Sequence, residues 1–189
     1  MAKGKGTNTA KESAKYRQLR SEQSREELLD WWRLLDDVSG AKAQLRRCST
    51  PVEAALHPQT YRVRQILGWA SPEAASTIVG VLSHIKAGED DPASLGHKLA
   101  RPQEPGGPAP FSETRFRQLL KSRDWPEFYR NLRRAIQVLR GQVNPLVVAD
   151  VILAWDKERR SQEYVAPGKS LEFWLSEQYY TAAPKPKSN

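Results

Sequence analysis

Cysteine is nearly absent from this chain. The single thiol, Cys48, excludes an internal disulfide and fits a reducing, cytoplasmic setting. The three histidines, His57, His84 and His97, are scattered without ligand spacing, so no structural metal site is expected. No apolar run approaches the roughly 20 residues a membrane helix needs. The basic N-terminus lacks the apolar stretch of a signal peptide. Glycine-rich phosphate loops and nucleophile elbows are missing. The acidic pairs Asp36–Asp37 and Asp90–Asp91 sit near helix ends instead of gathering as metal-binding carboxylates. Neither a catalytic residue nor a cofactor is expected. Alternating β-branched runs are missing too, which excludes a convincing strand, and no segment repeats another.

What the chain does have is apolar residues, tryptophan and positive charge. Its 189 residues are 39% hydrophobic and include six Trp, enough for a core. The net charge is +8, which favours attraction to polyanions. That charge is concentrated in two places. Residues 1–20 hold six Lys/Arg against one acid, and residues 115–140 hold eight against two.

Between polar termini nearly every segment carries helix signals, predicting an all-α fold of about nine helices. Ser24 with Glu27 and Thr50-Pro51 with Glu53 read as capping boxes. Ser71-Pro72, Asp91-Pro92 and Asn144-Pro145 each put a capping residue before a proline at the first helical position. Ser112 and Ser170 are further caps, and Gly68, Gly88 and Gly141 are stops. Four prolines and two glycines in "RPQEPGGPAP", residues 101–110, forbid regular structure. The expected layout is a disordered basic arm (1–22), an N-terminal helical unit (23–100), a linker (101–110), a C-terminal bundle (111–181) and a tail (182–189). The arm is too small and polar to offset the entropy of ordering.

The stretch "RNLRRAIQVLRG", Arg130 to Gly141, holds four arginines and no acid. On a helical wheel Trp125, Phe128, Leu132, Ala135, Ile136 and Leu139 share one arc, while Arg130, Arg133, Arg134, Gln137 and Arg140 lie opposite. Arg130 and Arg134 are like charges at i,i+4, which weakens an isolated helix by a few tenths of a kcal/mol. Arginine also suits forked contacts to phosphate. The row therefore suits an anionic partner, either a nucleic-acid backbone or an acidic protein. Arg117 and Lys121 extend the patch from the preceding helix. After Trp155, Arg159 continues the apolar stripe and is placed either to stack on the indole or to reach across an interface. Lys157 and Arg160 point away from it.

Four stretches occur in order: "SGAKAQLRRCSTP", "YRVRQILGW", "RFRQLLKSRDWPEFYRNLRRAI" and "ILAWDKERRSQ". As an ordered set, from about Trp31 to Glu163, they resemble the small subunit (CasB) of the type I-E CRISPR surveillance complex, Cascade. The resemblance implies an all-α, non-enzymatic protein. It implies two copies in the complex, lying against the backbone subunits and near the large subunit. It also implies a basic surface that holds target or displaced DNA once guide RNA has invaded the duplex. Carried over residue by residue, it points first to Arg133 and Arg134, then to Lys157, Arg159 and Arg160, and to Arg46 and Arg47. Trp31, Trp69 and Trp155 are expected in the core. The N-terminal arm and the 101–110 linker depart from the family pattern. His97-Lys98 stands where an arginine is expected. A helical transcription regulator is the competing reading; it would need a defined operator.

Overall fold

A computed structural model describes residues 16–38, 40–161 and 163–184. Within them the chain forms ten α-helices, a 3₁₀ turn at Pro167–Lys169 and no strand. The helices are α1 (Glu22–Leu34), α2 (Ala41–Arg47), α3 (Pro51–Ala55), α4 (Pro58–Ile66), α5 (Pro72–Leu82), α6 (Leu95–Ala100), α7 (Glu113–Leu120), α8 (Trp125–Val138), α9 (Pro145–Arg160) and α10 (Leu171–Ala182). None is long and apolar enough to cross a membrane.

The starts follow local chemistry. Thr50, Ser71, Asn144 and Ser170 each accept hydrogen bonds from first-turn N–H groups, and proline opens α3, α5 and α9. Two expected starts are corrected. Helix α1 begins one turn early, because Ser21 is its cap and the Ser24 N–H is the group capped, at 3.3 Å. Asp91-Pro92 starts no helix, because the Asp91 carboxylate is used locally. It accepts from the Ala93 N–H at 2.8 Å and pairs with the Lys98 ammonium at 2.5 Å. The chain turns helical only after Ser94.

Two helices form the centre. Every residue from Ala74 to Leu82 of α5, and from Pro145 to Asp156 of α9, is buried, as befits helices that are apolar all round. Helices α2, α3, α4, α8 and α9 pack on α5, while α1 and α10 pack on α9. The core draws on residues from both sides of 101–110. Phe111, just beyond this segment, is buried; its N–H donates to the Leu99 carbonyl at 3.0 Å and its carbonyl accepts from Tyr179 Oη at 2.7 Å. Gly141 has φ +74°, and a Cβ there would lie 2.6 Å from the His84 carbonyl. This close approach lets residues 86–87 hydrogen-bond with 141–143 as an isolated parallel bridge, Ala87 with Gln142.

Residues 1–15 of the expected arm lie outside the described residues. Its last residues are part of the fold: Tyr16 and Leu19 are buried. The N–H groups of Arg17, Gln18 and Leu19 all donate to the Asp150 carboxylate, at 2.7–2.8 Å. Three amide donors on one buried carboxylate supply the order that the composition of this segment does not predict. Of the tail, residues 185–189 are likewise outside the described residues.

Candidate nucleic-acid interface

Helices α7 and α8 are joined by four residues and sewn together by Asn131. Its side-chain amide donates to the Gln118 carbonyl at 3.2 Å and to Ser122 Oγ at 3.1 Å. Helix α7 buries Phe116 and Leu119, with Phe116 stacked on Tyr179 at 4.0 Å between ring centroids. Helix α8 begins in a reciprocal cap. Asp124 accepts from the Glu127 N–H at 2.8 Å, and Glu127 accepts from the Arg123 N–H at 2.9 Å. Its buried side carries Phe128, Leu132, Ala135 and Ile136, as the wheel predicts, and also Tyr129.

Between the two helices lies a groove of about 440 Å³, lined by Phe111, Arg115, Gln118, Asn131, Arg134, Gln137 and Val138. No acid lines it. Neither Arg115 nor Arg134 makes an ion pair or side-chain hydrogen bond among the described residues, and both are exposed. The groove thus offers two free guanidiniums and two amides on a rigid support. Beside it, at Leu139 and Pro110, a recess of about 330 Å³ holds Arg140, Arg101, His97 and Lys98. Arg140, two residues beyond α8, is in a left-handed conformation, φ +54°. Here Lys98 is already paired with Asp91.

The expected site residues divide into two groups. Arg47, Lys121, Arg130, Arg134, Arg140 and Lys157 are exposed and make no ion pair among the described residues. Arg46, Arg117, Arg133, Arg159 and Arg160 are held by protein groups. The Arg46 Nε–H donates to the Ser83 carbonyl at 2.8 Å. Arg117 pairs with Glu113 at 2.6 Å and reaches Tyr180 Oη at 3.4 Å. Arg159 lies over the Trp155 ring at 4.6 Å, as its place on the stripe predicts, and donates to the Ser122 carbonyl at 3.4 Å. Arg160 pairs with the buried Asp156 at 2.8 Å and donates to the Trp69 carbonyl at 3.3 Å.

Arg133 is the main correction. It does not point away from the core. Its guanidinium donates to the Cys48 carbonyl at 2.6 Å and the Arg46 carbonyl at 3.2 Å, and lies over the Tyr129 ring at 5.3 Å. Tyr129, one turn earlier, is itself buried, so the buried arc is wider than the six apolar residues suggest and Arg133 falls on its edge. Nearby, burial and then the charges of Arg133 and Arg46 push the His84 imidazole down to about 4. Burial raises the Tyr129 phenol to about 12, and its hydroxyl donates to the Cys48 carbonyl at 3.1 Å.

Of the three tryptophans expected in the core, Trp31 and Trp155 are buried, but Trp69 is 46% exposed because it sits in the turn beyond α4. From the sequence Arg115 reads only as a flank of the core side of α7, and it is not among the expected site residues. Its signal was its spacing, three residues before Gln118 and so on the same side of α7.

Comparison with curated proteins and with solved structures returns no match. A family model described as CRISPR-associated protein Cse2 matches residues 41–180, from the first residue of α2 into α10. The chain belongs to the CRISPR-associated protein Cse2 family, and with it to the small subunits of the type I-E CRISPR complex Cascade.

Proposed function

We propose that this chain is a non-catalytic Cascade subunit that binds the DNA backbone through its α7–α8 face and so stabilises the paired guide RNA–target DNA and displaced strand, the R-loop, in antiviral defence. Family membership implies assembly with the other Cascade subunits and the guide RNA. Guide RNA reads sequence by base pairing, which leaves the protein to supply contacts without a base code. The observation that carries the reading is the acid-free groove with Arg115 and Arg134 facing it unpaired. Arg130 on the outer side of α8, Arg140 just beyond its end and Lys121 after α7 continue the positive field. Two copies of the chain, set along the backbone subunits and near the large subunit, would present two such faces to the cytoplasmic DNA target.

Salt dependence tests the contact. Each neutralised phosphate of duplex DNA contributes about 0.9 to the slope of log affinity against log salt. Replacing Arg115 and Arg134 together by Ala should lower that slope by roughly 1.8 and weaken binding similarly for unrelated sequences. An unchanged slope would remove the groove from the DNA interface, and a strong preference for one duplex would favour the regulator instead.

A further inference from the structure

Eight large apolar side chains are exposed among the described residues, and four of them, Val52, Leu56, Tyr61 and Trp69, fall between positions 52 and 69. We propose that the outer side of α3 and α4 is a docking face for another protein, one whose contact surface sets Asp or Glu side chains around an apolar patch.

Helices α3 and α4 turn one side to α5 and leave the other open. On α3, Ala54 is buried, while Val52 and Leu56, four positions apart and so on one side, are 70% and 81% exposed. On α4, Gln59, Thr60 and Val63 are buried. Tyr61 and Gln65 lie on the side opposite them, with Arg62 on one flank and Arg64 on the other. Trp69 adds a half-open indole in the turn beyond α4. Single exposed apolar residues are ordinary, but a group of them on two successive helices marks a contact surface.

Charge defines the chemistry of the partner. No Asp or Glu occurs from position 54 to 72. Arg62 and Arg64 are exposed and make no ion pair or side-chain hydrogen bond among the described residues. Glu53, the acid on α3, is engaged at the helix start, where it accepts from the Ser49 N–H at 2.8 Å and the Thr50 hydroxyl at 3.3 Å. Two free guanidiniums beside a tyrosine suit carboxylates, and Arg, Tyr and Trp are the side chains that most often anchor protein interfaces. A nucleic-acid backbone would satisfy the arginines but leave Val52 and Leu56 in water, because an aliphatic side chain neither pairs with phosphate nor stacks on a base. Burying them takes an apolar counterpart.

The face is held rigid from behind. The Trp31 Nε1–H donates to Gln59 Oε1 at 2.8 Å, and the Thr60 hydroxyl donates to the Ala54 carbonyl at 2.7 Å, which fixes α4 to α1 and to α3. A face already ordered loses little entropy on binding.

The proposal rests on membership of the type I-E complex and not on the DNA reading of the α7–α8 face. The test uses a DNA-free complex reconstituted from the full chain, the other type I-E subunits and guide RNA, with the photo-cross-linking substitution Tyr61→benzoylphenylalanine. The expected product is a cross-link to another protein subunit, at a peptide that contains Asp or Glu. Leu56→Ser with Tyr61→Ser, and Arg62→Glu with Arg64→Glu, should each melt as the wild type does and weaken retention of the chain in the complex by at least about tenfold. Arg62→Lys with Arg64→Lys should keep most of that retention. Cross-links confined to nucleic acid or to a second copy of this chain, a cross-linked peptide without an acid, or wild-type retention of both double variants would overturn the proposal. Arg115 and Arg134 are unchanged in these variants and no DNA is present, so the docking face and the α7–α8 face stand or fall separately.

Discussion

Arg133 and Cys48, 85 positions apart, are joined by an N–H···O bond of 2.6 Å from the guanidinium to the backbone carbonyl. With the second bond to the Arg46 carbonyl, it ties the end of α2 to the middle of α8. The twin arginines of α8 therefore divide their work. Arg133 holds the fold and Arg134 faces the groove. A hydrogen bond from a charged donor contributes about 1.5–3 kcal/mol, and carbonyls left without it lose more. Arg133→Ala should lower the melting temperature by roughly 3–12 °C, given about 2–4 °C per kcal/mol at this size. Arg134→Ala should leave it within about a degree. Equal melts for the two variants would contradict the division.

His84 predicts a pH dependence of stability. Its folded value is about 4, against an unfolded value near 6.5. Between these the unfolded chain binds the additional proton, so stability rises with pH across the window and falls as pH drops through it. Discounted for solvent screening, this amounts to roughly 1–2 kcal/mol. His84→Gln should flatten the difference between denaturation midpoints at pH 7 and pH 4.5. Parallel pH profiles for variant and wild type would mean the ring is protonated in the fold.

Asp150 is the anchor of residues 17–19. Asp150→Ala leaves three amides without their acceptor, and the segment should loosen while α5 and α8 stay intact. Hydrogen exchange at Arg17, Gln18 and Leu19 should accelerate by at least about tenfold, as expected for a loss of more than 1.4 kcal/mol. Unchanged exchange at those amides would show that Tyr16 and Leu19 suffice to dock it.

Trp155 stacks on Phe128 with centroids 4.5 Å apart and meets Trp125 edge-on at 4.5 Å. Truncation to Ala should cost about 3–5 kcal/mol through the cavity it leaves. A melt within a degree or two of wild type would show that the site collapses without loss.

The all-α fold was legible because its signals are local. Thr50-Pro51, Ser71-Pro72 and Asn144-Pro145 each carry a cap and a helix start within a few residues. The basic face was legible from the period of α8, and Arg134, Arg130 and Arg140 lie on it as the wheel predicts. The roles of Arg133, Arg46 and Arg160 were not, because their principal acceptors include backbone carbonyls from other segments, which leave no mark in composition. The same holds for Tyr16 and Leu19. A polar segment reads as unable to fold, and the carboxylate that holds it lies more than a hundred positions away. Asp91 shows the reverse error, since a strong cap-plus-proline signal gave way to a turn and an ion pair.

The most direct measurement is the lifetime of a guide-directed DNA complex reconstituted from the other type I-E subunits, with wild-type chain, without it, and with Arg115→Ala/Arg134→Ala. The account predicts that the wild-type chain lengthens the lifetime and that the double variant assembles normally but loses most of that gain. A double variant that incorporates fully and protects the complex as long as wild type would contradict it.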